Sequence, residues 1–201
     1  MNTKPGERRK TKTRQDIINT AYDMIIEHGL DAVSLRAVAE RLDYSPAALY
    51  RYFSSKDELV DAVRIKCFEQ LNAAIFQRLH GVSSPARMLL VGGLAYIAFA
   101  REHPVKYHLL FHTGPSPSTQ AENQKLAMRS LLYIVRHGIE MGVFATDANY
   151  TEDALVLHCW GTVHGLAMLQ TTVMLDEQAR MAEVTETILR RVIAGFTRIP
   201  A

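Results

Sequence analysis

The chain has 201 residues, a formal net charge of +2, 48% hydrophobic and 22% charged residues. That balance excludes wholesale disorder, and the length suits one large domain or a small one joined to a larger one. Cys67 and Cys159 are too few for a disulfide framework and match no zinc spacing. They read as reduced residues of a cytoplasmic protein, and no secretory signal pattern is visible.

The charge is uneven. Residues 1–14 hold Lys4, Arg8, Arg9, Lys10, Lys12 and Arg14 against Glu7 alone, so a basic arm precedes a slightly acidic body. Such an arm either seeks phosphates or is a solvated terminus.

Helical periodicity dominates the rest of the chain. Ile17, Ala21, Met24, Ile25 and His28 share one helix face, ended by Gly29. Ser34 is placed to cap a second helix whose buried face is Leu35, Val38, Ala39 and Leu42. Asp43 and Tyr44 make a turn. Ser45 caps a very short third helix, with Pro46 in its first position. Ser55 and Glu58 form a capping box that opens a fourth helix running toward Leu79.

Beyond Gly81, helices are predicted at about 85–102, 104–112, 120–138, 150–172 and 178–197, with a loop at 113–119 (TGPSPST). No strand alternation or internal repeat is found. The predicted fold is all-α with about nine helices. It divides into a basic arm (1–14), a small helical unit (15–60) and a larger helical unit (61–201). The stretch 154–175 lacks Asp, Glu, Lys and Arg and is long enough to span a bilayer. It also carries His158, Thr162, His164 and Gln170 with no flanking basic cluster, so burial between protein surfaces is expected, and no membrane partner.

Two short helices joined by a tight turn have the geometry of a helix-turn-helix, whose second helix enters the DNA major groove. Ala47 and Ala48 are small enough for close approach to base edges. Tyr50 and Tyr52 project to different sides, so one hydroxyl reaches a phosphate while the other packs or bonds elsewhere. Lys56 is suited to clamping a backbone phosphate. Leu42, Leu49 and Phe53 read as the small core that holds the three helices together.

The run 13–63 resembles the DNA-binding domain of the tetracycline-repressor (TetR) family of bacterial regulators. The match lies in Gly29, Ser34, Ala39, Ser45, Leu49, Tyr50, Phe53, Lys56 and Leu59. The resemblance implies DNA contacts from Ser34, Arg36, Ser45, Ala47, Ala48, Tyr50, Tyr52 and Lys56. Preceding this unit, the arm cations Arg8, Arg9, Lys10, Lys12 and Arg14 are expected on phosphates or in a minor groove. The chain has Asp43-Tyr44 where the family often has Gly-Val. Asp tolerates left-handed backbone, so the turn is expected to survive.

The stretch 158–165 (HCWGTVHG) resembles a subgroup with a Trp-x-x-x-His-Gly signature, supported upstream by Pro104, Tyr107, Leu110 and Phe111. The family's remaining helices usually form a ligand-binding and dimerisation domain. On the predicted helix, His158, Gly161, Gly165 and Met168 lie on one stripe, assigned to a dimer interface. Packing inside one subunit is the alternative for the two glycines. Val184, Ile188 and Val192 on the last helix complete a four-helix interface in a homodimer. Trp160 and His164 lie on a neighbouring stripe, assigned to core or pocket. Candidate pocket residues are Tyr96, Phe99, Tyr107, Phe111, Met128, Tyr133, His137, Trp160 and His164, each of which plain core would also explain. Their character suggests a small hydrophobic or aromatic ligand.

His108 and His112 are a workable zinc pair without a third ligand, so no metal and no cofactor is expected. No catalytic motif is present. The expected function is a transcriptional repressor that binds a palindromic double-stranded operator as a homodimer and is released by a small molecule. A DNA-binding activator or regulator without a ligand is the alternative.

Overall fold

In the computed structural model, residues 5–111, 117–175 and 177–198 are described. They form nine α-helices: α1 (Pro5–His28), α2 (Leu35–Arg41), α3 (Pro46–Leu49), α4 (Lys56–Leu79), α5 (Pro85–Glu102), α6 (Pro104–Phe111), α7 (Pro117–Glu140), α8 (Glu152–Thr172) and α9 (Gln178–Phe196). A 3-10 turn, Leu30–Ala32, not expected from the sequence, joins α1 to α2. The predicted loop 113–119 is shorter: its last three residues begin α7, and 113–116 lie outside the described residues.

The helix ends follow local chemistry. Gly29, at φ 83°, ends α1 in a backbone region that side chains disfavour. The Ser34 hydroxyl accepts from the Ala37 N–H at 3.0 Å and opens α2. Asp43 is the one described non-glycine residue with positive φ, 56°, so the aspartate holds the left-handed turn between α2 and α3. Ser45 occupies the cap position of α3, but its side chain makes no capping bond, contrary to expectation. At α4 the Ser55 hydroxyl accepts from the Glu58 N–H. Glu58 returns its carboxylate one residue earlier than a capping box predicts, accepting from the Ser54 N–H and hydroxyl, both at 2.7 Å.

Two compact units divide the chain. The first holds residues 1–67 and 108–123. Its core is Ile17, Ala21, Ile25, Val38, Leu49, Phe53 and Leu59, all buried, whereas His28 points outward. A boundary at residue 60 therefore cuts α4 too early. Arg64 belongs to the first unit, where it pairs with Asp61 and its Nε donates to the Leu109 carbonyl at 3.2 Å. Both charged side chains are buried.

The second unit holds residues 68–107 and 124–201. Leu89, Ile134, Val135, Phe144, Leu155, Val156, Cys159 and Phe196 form its core. Gly93 lets α5 close on α8 and α9: a Cβ there would lie 3.1 Å from Val163 and 3.2 Å from Leu189. The end of α9 is pinned by the Ala145 N–H on the Phe196 carbonyl and the Arg198 N–H on the Val143 carbonyl. Among the described residues, no helix is long and apolar enough to cross a membrane.

Candidate nucleic-acid interface and candidate ligand cavity

The short α3 is held from behind by Leu49 and Phe53, which are fully buried. Its other side is open. Ser45 and Ala47 are exposed, Ala48 is half-buried, and Tyr50 is 61% exposed. The Tyr50 ring is therefore outside the core and open to a partner. Tyr52 is half-buried. Together with Tyr44, Ala48 and Arg51 it lines a groove whose other wall is Gly6, Arg9, Lys10 and Thr13 of α1. Three cations around one groove beside α3 make a surface for phosphates.

The basic segment is therefore not a loose arm from residue 5 onward. Its described part, with Arg8, Arg9, Lys10, Lys12 and Arg14, forms the first turns of α1. Helical spacing turns Arg9 and Lys10 toward the groove. Arg14 sits with its guanidinium carbon 4.8 Å from the Phe53 ring centroid and packs on the unit's own core. Ser34 and Arg36 are exposed at the start of α2. Lys56 has a structural task that the sequence did not reveal. Its Nζ donates to the Leu30 carbonyl at 3.0 Å and ties α4 to the 3-10 turn, leaving two N–H donors for other partners. Arg51, not among the sequence candidates, joins the groove from just beyond the end of α3.

In the second unit, α5, α7, α8, α9 and the last turns of α4 surround an apolar cavity with about 70 Å³ of free space, several times what one water needs. Of the nine pocket candidates, Tyr96 and Trp160 line it. His164 stands behind Tyr96: both the Tyr96 and Tyr107 hydroxyls approach its Nδ1, at 3.0 and 2.9 Å. Its ring stacks on Trp160 at 5.2 Å. Burial pushes the Tyr107 hydroxyl up to about 12. It pushes Tyr96 further in the same direction, helped by its neighbour Tyr107, while the nearby Trp160 pulls the other way.

The other pocket candidates lie elsewhere. Phe99 is buried against His103, and Tyr107 is core behind His164. Met128 packs on the hydrophobic core, Tyr133 is 65% exposed, and His137 stacks on Tyr133. Phe111 belongs to the first unit. The lining that sequence reasoning missed is mostly aliphatic, including Ile75, Met88, Gly92, Ile134, Val163 and Leu189. The Gly92-Gly93 pair inside an apolar helix was the available signal.

Gly161 and Gly165 on α8 face open space: a Cβ at either would meet nothing within 4 Å. Packing inside one subunit is thereby removed as their explanation. The exposed Leu157, His158 and Leu169 share their helix side with Met168, which is half-buried. His158 also pairs with the Tyr150 hydroxyl at 2.6 Å. On α9, Val184 is exposed and Ile188 half-buried. Val192 differs from the expectation, because it lines the cavity.

Among the described residues no cluster of three or more His, Cys, Asp or Glu side chains is placed to hold a metal, and His112 lies outside them. Cys67 and Cys159 are free thiols, both buried. Burial pushes the Cys159 thiol up to about 12, which makes it a poor nucleophile.

A helix-turn-helix with an exposed recognition helix, followed by a separate helical unit, defines a DNA-binding transcriptional regulator. Residues 17–63 match the family described as bacterial regulatory proteins, tetR family. Residues 89–196 match the tetracyclin repressor-like C-terminal domain. The chain belongs to the TetR family. It is 24% identical to the HTH-type transcriptional regulator Rv0681 of Mycobacterium tuberculosis, over 92% of this chain and 82% of that protein. Solved structures share the fold. One from Rhodococcus sp. RHA1 superposes with a TM-score of 0.78 at 24% identity, covering 92% of this chain and 95% of that one. The TetR family regulator PfmR from Thermus thermophilus gives 0.61, again at 24% identity, over 92% and 98%.

Proposed function

We propose that the protein is a repressor that binds a palindromic operator as a homodimer and leaves it when a small, largely hydrophobic molecule enters the second unit. The observation that carries this reading is the apolar cavity among α4, α5, α7, α8 and α9 in a chain that also bears a helix-turn-helix. Ala47 of α3 and Tyr50 at its C-terminal cap meet base edges and phosphates, flanked by Ser34, Arg36, Ser45, Ala48 and Tyr52. Arg9, Lys10 and Arg51 take the backbone beside them. Two copies are needed because the recognition helices must reach successive major grooves roughly 34–36 Å apart. The open glycine side of α8, extended by Leu157 and Leu169, is the face assigned to the second copy. Trp160, His164 and Gly165 fit the Trp-x-x-x-His-Gly subgroup. The helix α4 has residues in both units, and ligand binding acts through it by favouring a state whose recognition helices are mis-spaced.

The test is a gel shift of the full chain on DNA from upstream of its own gene, at rising salt and with a panel of neutral hydrophobic compounds. A sharp shift on a palindrome, released by one compound class, is the expected result. A shift that no compound alters would replace this reading with a regulator lacking a ligand.

A further inference from the structure

The cavity of the second unit is small for an effector site. Its free space, about 70 Å³, takes about five water-sized groups. Small-molecule sites commonly offer about 300–1,000 Å³. No Asp, Glu, Lys, Arg or His lines it, so nothing there offsets the cost of bringing in a charge.

The seam between α4 and α7 shows where a larger ligand finds room. Ile75, Leu131 and Ile134 line the cavity. Phe76, Arg129 and Tyr133, from the same two helices, line a second space of about 290 Å³. Ser130 lines both spaces. The second space opens to solvent, because Phe76 is 58% exposed and Tyr133 more so. His137 steadies Tyr133, its ring stacked at 6.0 Å and 11° to the tyrosine ring.

One short side chain therefore stands between an enclosed apolar space and an outer cleft flanked by two exposed aromatic rings. Taken together, the two spaces reach the low end of the usual range for a small-molecule site. The inner space suits a flexible apolar chain. The outer one suits a ring, which gains from packing against other aromatic rings beyond its buried area.

We infer that the effector is an elongated, uncharged molecule that crosses the seam at Ser130, with an alkyl end in the cavity and an aromatic end in the outer cleft against Phe76 and Tyr133. The inference rests on the reading of the cavity as an effector site. It adds the shape of the ligand, its orientation and its way in, between α4 and α7.

Three probes separate the two spaces: 1-hexanol, which has the chain alone, 4-ethylphenol, which has the ring with a short chain, and 4-hexylphenol, which has both. Trp160 lines the cavity and is the single tryptophan of the chain, so its fluorescence, excited to the red of phenol absorption, reports binding to the full chain. 4-Hexylphenol is expected to bind at least about tenfold tighter than either of the others. The double variant Phe76→Ala/Tyr133→Ala changes only exposed side chains. It should bring 4-hexylphenol down to the affinity of 1-hexanol and leave 1-hexanol unchanged.

Gly92→Ala tests the inner end. Its added methyl would meet Ile75 at an ordinary 3.7 Å, so the fold is kept while the cavity shrinks. 1-Hexanol and 4-hexylphenol should weaken by the same factor. Equal affinity of these two probes in the wild type, or a 4-hexylphenol advantage that survives the double variant, would overturn the inference and leave the cavity as an effector site. So would a double variant that alters sedimentation but not 4-hexylphenol affinity, because the two rings would then be a contact between copies. Binding of none of the three probes would overturn the effector reading of the cavity, and this inference with it.

Discussion

Arg64 donates from its Nε to the backbone carbonyl of Leu109 while its guanidinium pairs with Asp61, both side chains buried. One cation thus satisfies a carboxylate on its own helix and a carbonyl in the last turn of α6, where a positive charge also complements the helix dipole. Removing the cation alone takes the guanidinium away from a buried carboxylate. Arg64→Met is expected to cost about 3–5 kcal/mol in urea unfolding, and the double variant Asp61→Leu/Arg64→Met substantially less. Equal losses in the two would show that the pair is not the source.

Tyr50 is exposed and Lys56 is not merely a surface charge, so their substitutions separate binding from folding. Tyr50→Ala should abolish specific operator binding in a gel shift with an unchanged melting temperature. Lys56→Ala should lose about 1 kcal/mol of stability as well, because the Leu30 carbonyl loses a charged donor.

Arg9 and Lys10 face the groove beside α3, whereas Arg14 stacks on Phe53. Neutralising Arg9 or Lys10 to Gln should weaken binding to all DNA sequences alike and lower the salt slope by about one each. Arg14→Gln should leave that slope nearly unchanged and reduce stability instead.

Two glycines test packing and assembly. A Cβ at Gly138 would overlap the Phe144 ring, so Gly138→Ala is expected to cost at least about 1–3 kcal/mol of thermal or urea stability. Gly161 has open space around it in the single chain. Gly161→Arg should leave the circular dichroism spectrum intact and shift sedimentation toward the monomer, by burying an unpaired charge between copies. A variant that sediments unchanged would remove α8 from the interface.

Alkaline stability follows from Tyr107 and Cys159. Burial raises both pKa values in the folded chain, each to about 12, from ordinary values of 10 and 9. The unfolded chain therefore releases these protons first. Their stabilisation is complete below about pH 9 and is lost as pH rises toward 12. Urea midpoints should fall across that window, and less steeply in Tyr107→Phe.

Much was legible in the chain because it depends on neighbours in sequence. The period of Ile17, Ala21 and Ile25, the Ser34 cap, the left-handed Asp43 and the Pro46 start are all decided within a turn or two. These local rules determined the helices, the helix-turn-helix and the exposed face of α3. Contacts between distant positions were not legible in this way. Lys56 reaches Leu30, Arg64 reaches Leu109, and Tyr96 and Tyr107 meet at His164 only once the chain has folded. The cavity shows the difference most plainly. Aromatic residues drew attention in the sequence, yet Tyr133 stands in solvent and aliphatic side chains from five helices form most of the wall. Periodicity tells which side of a helix is apolar. Which apolar side chains leave a space between them depends on how the helices pack, and only the tertiary structure decided that.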